Sequence, residues 1–111
     1  MVLVQESVRK ITNELAFSKS SNKHLKTLKQ YVPVVARVHG GTHPEFHEVR
    51  KLFDAIYEKT KKSSSVKPEL ADEFAQLREM TNHYTVPNDV CESYEAVYNL
   101  LAELDEAYHA Q

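Results

Sequence analysis

Apolar residues recur at spacings of three and four through most of this chain, and no stretch alternates every second residue as a half-buried strand would. Val4, Val8, Ile11 and Leu15 predict an amphipathic helix over residues 3–17, with Arg9, Lys10, Asn13 and Glu14 toward water. The cluster Ser18-Lys19-Ser20-Ser21-Asn22 interrupts it with cap and turn residues but holds neither proline nor glycine, so a bent continuous helix is the alternative. Leu25, Leu28, Val32 and Val35 give the next stripe, which runs to His39 and should kink at Pro33, where one backbone donor is missing.

Phe46, Val49, Phe53, Ile56 and Thr60 predict a helix over residues 43–62, ended by Ser63-Ser64-Ser65. Pro68 suits a first helical turn, and Leu70, Phe74, Leu77, Thr81 and Tyr84 carry a stripe on to His83. Thr85-Val86-Pro87-Asn88-Asp89 is a loop ending in cap residues, after which Val90, Tyr94, Val97, Leu101, Leu104 and Tyr108 define a last helix running nearly to Gln111. Helical segments joined by short connections predict an all-α fold, an antiparallel bundle of four to five helices. At 111 residues this is a single domain over 1–111, in which 1–20 form an extra N-terminal helix and 21–111 the bundle proper. Phe46, Phe53, Ile56, Phe74, Leu77, Tyr94, Val97 and Leu101 are expected to share one core, and the tyrosines at 57, 94, 98 and 108 to pack with their hydroxyls on solvent or a carbonyl.

The chain's two glycines sit together in Arg37-Val38-His39-Gly40-Gly41-Thr42-His43-Pro44-Glu45-Phe46-His47, along with half of its six histidines. Gly40 or Gly41 is expected to close the preceding helix with a positive φ, and Thr42 with Glu45 reads as a capping box opening the next.

Composition narrows the function. A net charge of −2 with the signs mixed gives no long-range pull toward nucleic acid or an anionic membrane; Lys59, Lys61, Lys62 and Lys67 read as a solvated helix end. One cysteine excludes an intramolecular disulfide framework and a Cys-rich metal site within one chain, and Cys91 reads as a small core residue. Met1-Val2-Leu3-Val4-Gln5-Glu6 turns polar too early for a secretory segment and no apolar run spans a bilayer, so the expected compartment is the cytoplasm.

Two blocks carry a family likeness. Tyr31 to Phe53, with Ala36-Arg37-Val38-His39-Gly40 and His43-Pro44-Glu45, resembles the hemerythrin-like iron-sulfur cluster repair di-iron proteins. Leu77-Arg78-Glu79-Met80-Thr81-Asn82-His83-Tyr84-Thr85-Val86-Pro87, continuing through Cys91-Glu92-Ser93-Tyr94 and Tyr98 to Glu103-Leu104, is similar to that family's approach to its last helix. The resemblance implies a hemerythrin-like bundle, with His-x-x-x-Glu pairs on the second and fourth bundle helices and single histidines on the first and third. In this sequence the first-helix ligand position falls at Ser18, with His24 six residues away on another face. The last-helix histidine position falls at Gln111, two residues past His109, and only Ser63-Ser64-Ser65-Val66 stands where two helix ends and their loop carry the other ligands. The likeness is therefore to a bundle shortened from its metal end. His39 does not replace the first ligand, because about 20 residues of helix separate it from that position by about 30 Å; it reads as a turn residue bonding nearby backbone.

The expectation is a small cytoplasmic protein that lacks the intramolecular di-iron site and acts as a non-catalytic binding or accessory member, with no cofactor. The alternative is an iron- or zinc-binding metalloprotein of iron-sulfur cluster repair and of nitrosative and oxidative stress responses, using His39, His43 and His47 or ligands shared between chains. His43 and His47 are one helical turn apart, which lets two imidazoles reach one ion, with Glu48 or His39 as third ligand. His24 and His83 stand apart from any cluster, and the carboxylates fall on outer faces. No glycine-rich phosphate loop or G-x-S-x-G elbow is present, and no base beside Cys91 can be identified from sequence. The expected partner is a protein or a second copy of the chain in a homodimer, since the stripe at 4, 8, 11 and 15 needs a cover.

Overall fold

The computed structural model describes the backbone of residues 2–62 and 68–110 and the side chains of residues 21–62 and 68–110. Among the described residues four helices follow in order: α1 (Val2–His39), α2 (Glu45–Lys62), α3 (Ala71–Met80) and α4 (Glu92–His109). The first two predicted segments are thus one helix. Without a proline or glycine between Ser18 and Asn22 nothing breaks the backbone ladder, and α1 also continues through Pro33. At 1.5 Å per residue, its 38 residues account for the 56 Å long axis of the molecule, about twice the length of α4.

α1 packs on α4 and on α2, and α2 packs on α3. The cross-links place α1 and α4 antiparallel and seat the end of α2 on the start of α3. His24 meets Glu103 and His39 meets Cys91 between α1 and α4, while Lys59 meets Glu73 between α2 and α3. The eight residues expected to form the core are all at most 1% exposed. Leu25, Leu28, Val32 and Val35 of α1 and Leu104 of α4 join them, as their spacing of three and four required. Burying each of these side chains contributes about 1.5–3 kcal/mol, which is what holds short helices such as α3 in place. The stripe at Val4, Val8, Ile11 and Leu15 lies outside the described side chains. Among the described residues no helix is long and apolar enough to cross a membrane.

The helix ends differ from the sequence expectations, and the reasons are local. α3 stops at Met80 instead of His83 because Asn82, His83 and Tyr84 adopt φ of 52°, 58° and 61°. Left-handed backbone costs about 1–2 kcal/mol per residue with a side chain, so three in a row need compensation. Thr81 supplies part of it, since its hydroxyl donates to the Leu77 carbonyl (2.7 Å) and accepts from the Tyr84 N–H (2.8 Å). The His83 N–H donates to the Arg78 carbonyl at 2.7 Å. The turn delivers the Tyr84 hydroxyl to Asp105 at 2.7 Å.

Asp105 and Glu73 correct the expectation that carboxylates lie outside, for both are buried. Asp105 takes two 2.7 Å bonds from Arg78 Nη1, one from Tyr84, and a 2.8 Å contact from His109 Nδ1. Burial, with the neighbouring Asp105 charge, pushes the Tyr84 hydroxyl far above its usual range. Tyr108, at the end of α4, accepts from the Leu70 N–H and donates to the Pro68 carbonyl, pinning the entry to α3.

Candidate functional site

The glycine turn builds one end of the bundle. Gly40 N–H donates to the Ala36 carbonyl, and the N–H groups of Thr42 and His43 both reach the His39 carbonyl, at 3.1 and 2.8 Å. Neither glycine has a positive φ. The need for glycine at 40 is spatial. A Cβ there would collide with the Ala36 carbonyl oxygen and with the His47 ring, 2.5 Å from Nε2, whereas a Cβ on Gly41 would meet nothing. The expected capping box is absent as well, because the Thr42 N–H already bonds His39 and the Glu45 carboxylate turns to the His43 ring.

The three histidines that the alternative reading gives to a metal go to three different neighbours. His39 Nε2 lies 3.1 Å from Cys91 Sγ. His43 spans two carboxylates, with Nδ1 3.0 Å from Glu45 Oε2 and Nε2 2.9 Å from Asp89 Oδ1. His47 lies over Gly40. Among the described residues, no group of three or more His, Cys, Asp or Glu side chains is placed to hold a metal ion. Both His43 nitrogens face carboxylates and His39 faces sulfur, so the three imidazoles do not converge on one point.

His43 and Asp89 form an ion pair by geometry. A neutral imidazole offers one N–H, so satisfying two carboxylates requires both nitrogens protonated. The hydrogen bond to Asp89 chiefly, and that to Glu45 next, hold the His43 pKa above its ordinary value, and His43 in turn holds the Asp89 carboxyl below its own.

Cys91 is the residue the sequence misplaced. It is exposed rather than buried and occupies the N-cap of α4, with φ −86° and ψ 175°. The stripe's apparent start at Val90 drew it into the helix, but α4 begins at Glu92. Its sulfur makes no full capping hydrogen bond, yet it feels the Tyr94 and Ser93 N–H groups of the first turn. Together with His39, they lower its thiol to about 7, with the Tyr94 N–H as the largest cause. Cysteine is not a preferred N-cap residue, so neither its cap position nor its pairing with His39, 52 residues away, was legible in the sequence.

Tyr94 carries the cluster. Its ring is fully buried and meets His39 edge-on at 5.5 Å, His43 at 5.6 Å and Phe46 at 5.0 Å. Its hydroxyl is 2.9 Å from that of Tyr98, and burial raises the pKa of both phenols. The ring therefore holds the imidazoles of α1 and of the turn beside the start of α4. Elsewhere a cleft of about 290 Å3 between α1 and α2 is lined by Lys29 and Arg50 together with Asp54 and Glu58, and Lys29 sits 4.3 Å over the Tyr57 ring. Its charges balance one another, so it presents no single sign to a ligand.

Of the other histidines, His24 pairs with Glu103 at 2.7 Å and His109 with Asp105, so neither stands apart, while His83 is exposed in the left-handed turn.

Comparison with known proteins agrees with the family likeness at a distance. No family model matches the sequence, and no solved structure matches. Among curated proteins, the chain is 25% identical over 124 residues to the iron-sulfur cluster repair protein ScdA of Staphylococcus haemolyticus (strain JCSC1435). The match takes in 84% of this chain and 56% of the relative, so the chain spans little more than half the length of the protein it resembles.

Proposed function

We propose that this chain is a non-catalytic binding or accessory module acting alongside iron-sulfur cluster repair, without a di-iron site of its own. The observation that carries the proposal is the ScdA similarity across 84% of the chain. The alignment runs over 124 positions while taking in 84% of the 111 residues here, so stretches of the relative face gaps in this chain, which favours a bundle shortened relative to that protein. The separate pairings of His39 and His43 support the site-less reading, because they divide the donors that a metal would need together. What remains for function is surface. The partner in this reading is another protein, and the end of the bundle around Tyr94 is its most chemically distinctive face.

Two measurements test the proposal. Protein purified after growth with iron should carry well under one iron per chain and lack an oxo-bridge absorption band; about two irons with that band would overturn the site-less reading. Cells lacking the chain should recover the activity of oxidatively damaged iron-sulfur enzymes more slowly than cells that have it, and equal recovery would overturn the repair role.

A further inference from the structure

We propose that Cys91 and His39 form a reactive thiol-imidazole pair that exchanges with small-molecule disulfides, making Cys91 a reversible modification site. The thiol does not stand by itself. Nucleophile and base come from different parts of the chain, the N-cap of α4 and the last residue of α1, and their 3.1 Å separation is within reach of direct proton transfer. The imidazole is held from a second side by the Tyr94 ring, so it cannot swing away without leaving an edge-on contact of 5.5 Å. The sulfur is exposed, which a structural cysteine is not.

Charges from each neighbouring element act on the pair. His39 of α1 and the Tyr94 and Ser93 amides of α4 favour the thiolate. Asp89, in the loop before α4, is the nearby carboxylate, and it is bonded to His43 at 2.9 Å. A thiolate near neutral pH is the optimum for exchange, since a sulfur of much lower pKa would be ionised but a poorer nucleophile.

In the exchange, Cys91 Sγ as thiolate attacks one sulfur of a disulfide R–S–S–R. The S–S bond of the reagent breaks, a Cys91–S–S–R bond forms, and RS− leaves to take a proton from solvent. Cys91 is oxidised to the mixed disulfide while one half of the reagent is reduced to a thiol. The left-over half-disulfide, which lies beside His39, His43 and the start of α4, alters the face assigned above to partner binding. The chemistry itself stands or falls separately from any repair role.

The experiment follows mixed-disulfide formation with oxidised glutathione by intact mass, using the whole chain over a range of pH, with Cys91→Ser as the silent control. The rate should rise through an inflection near pH 7. His39→Gln should move the inflection toward the ordinary thiol value of about 8.5 and slow the reaction below neutrality by about threefold, after allowance for the better nucleophile that a higher pKa makes. An unchanged melting temperature shows that the variant is folded. A wild-type inflection at or above about 8.5 would overturn the proposal without recourse to any variant. A folded His39→Gln protein with the wild-type profile would overturn it too.

Discussion

The polar groups around Asp105 and those around Cys91 are alike in chemistry and opposite in placement. Asp105 is buried and has every acceptor position occupied by Arg78, Tyr84 or His109. Cys91, Asp89 and His39 lie at the rim of the other end, each with a partner and with access to water. A buried charge has exchanged its water for fixed partners, so it costs heavily to disturb and has nothing left to offer a ligand. A rim charge contributes little to stability, and its partner tunes its protonation instead. The first arrangement holds the long loop after α3 in place, and the second is where chemistry remains available.

Several substitutions break or sharpen that contrast. The largest effect is expected from Asp105→Ala, which strands the Arg78 guanidinium and the Tyr84 hydroxyl and should cost about 3–5 kcal/mol in denaturant unfolding. Asp89→Ala at the rim should leave the unfolding midpoint where it is. If the two variants lose equal stability, the contrast is wrong.

Next comes the glycine pair. Gly40→Ala must displace the Ala36 carbonyl or the His47 ring and should cost about 1–3 kcal/mol. Gly41→Ala, with open space at its Cβ and no positive φ, should be neutral or slightly stabilising. Equal melting temperatures for the two variants would show that the turn adapts.

The smallest effect is a titration. The folded pKa of His43 is raised, so its contribution is full below the unfolded value of 6.5 and fades as pH rises through the folded value. The Asp89 pKa is lowered, so its contribution is present above its ordinary 3.8 and fades as pH falls through the folded value. The pair is therefore strongest in the acidic window between these limits. Asp89→Asn should lower the His43 midpoint seen in the NMR titration of its ring, and an unmoved midpoint would mean that Glu45 alone holds the proton.

Much of the bundle was legible because helical periodicity is local. Phe46, Phe53, Phe74, Tyr94 and Leu101 declare a buried face by spacing alone, and burial of apolar area leaves them one place to go. The same local logic misread the turn, since glycine invites a positive φ and the structure uses Gly40 for clearance under His47 instead. It also kept His39, His43 and His47 together because they are near in sequence.

The sequence by itself determined an all-helical chain, which residues face inward, and the absence of a phosphate loop or a cysteine-rich site. Tertiary structure alone decided that His39 meets Cys91, that Tyr84 and Arg78 converge on Asp105, and that three residues after α3 turn left-handed. Spacing along a helix fixes a side chain's direction but not what lies across from it. These pairings join residues 21 to 52 positions apart, and they arise only when α1 and α3 come to lie beside the α4 end of the chain.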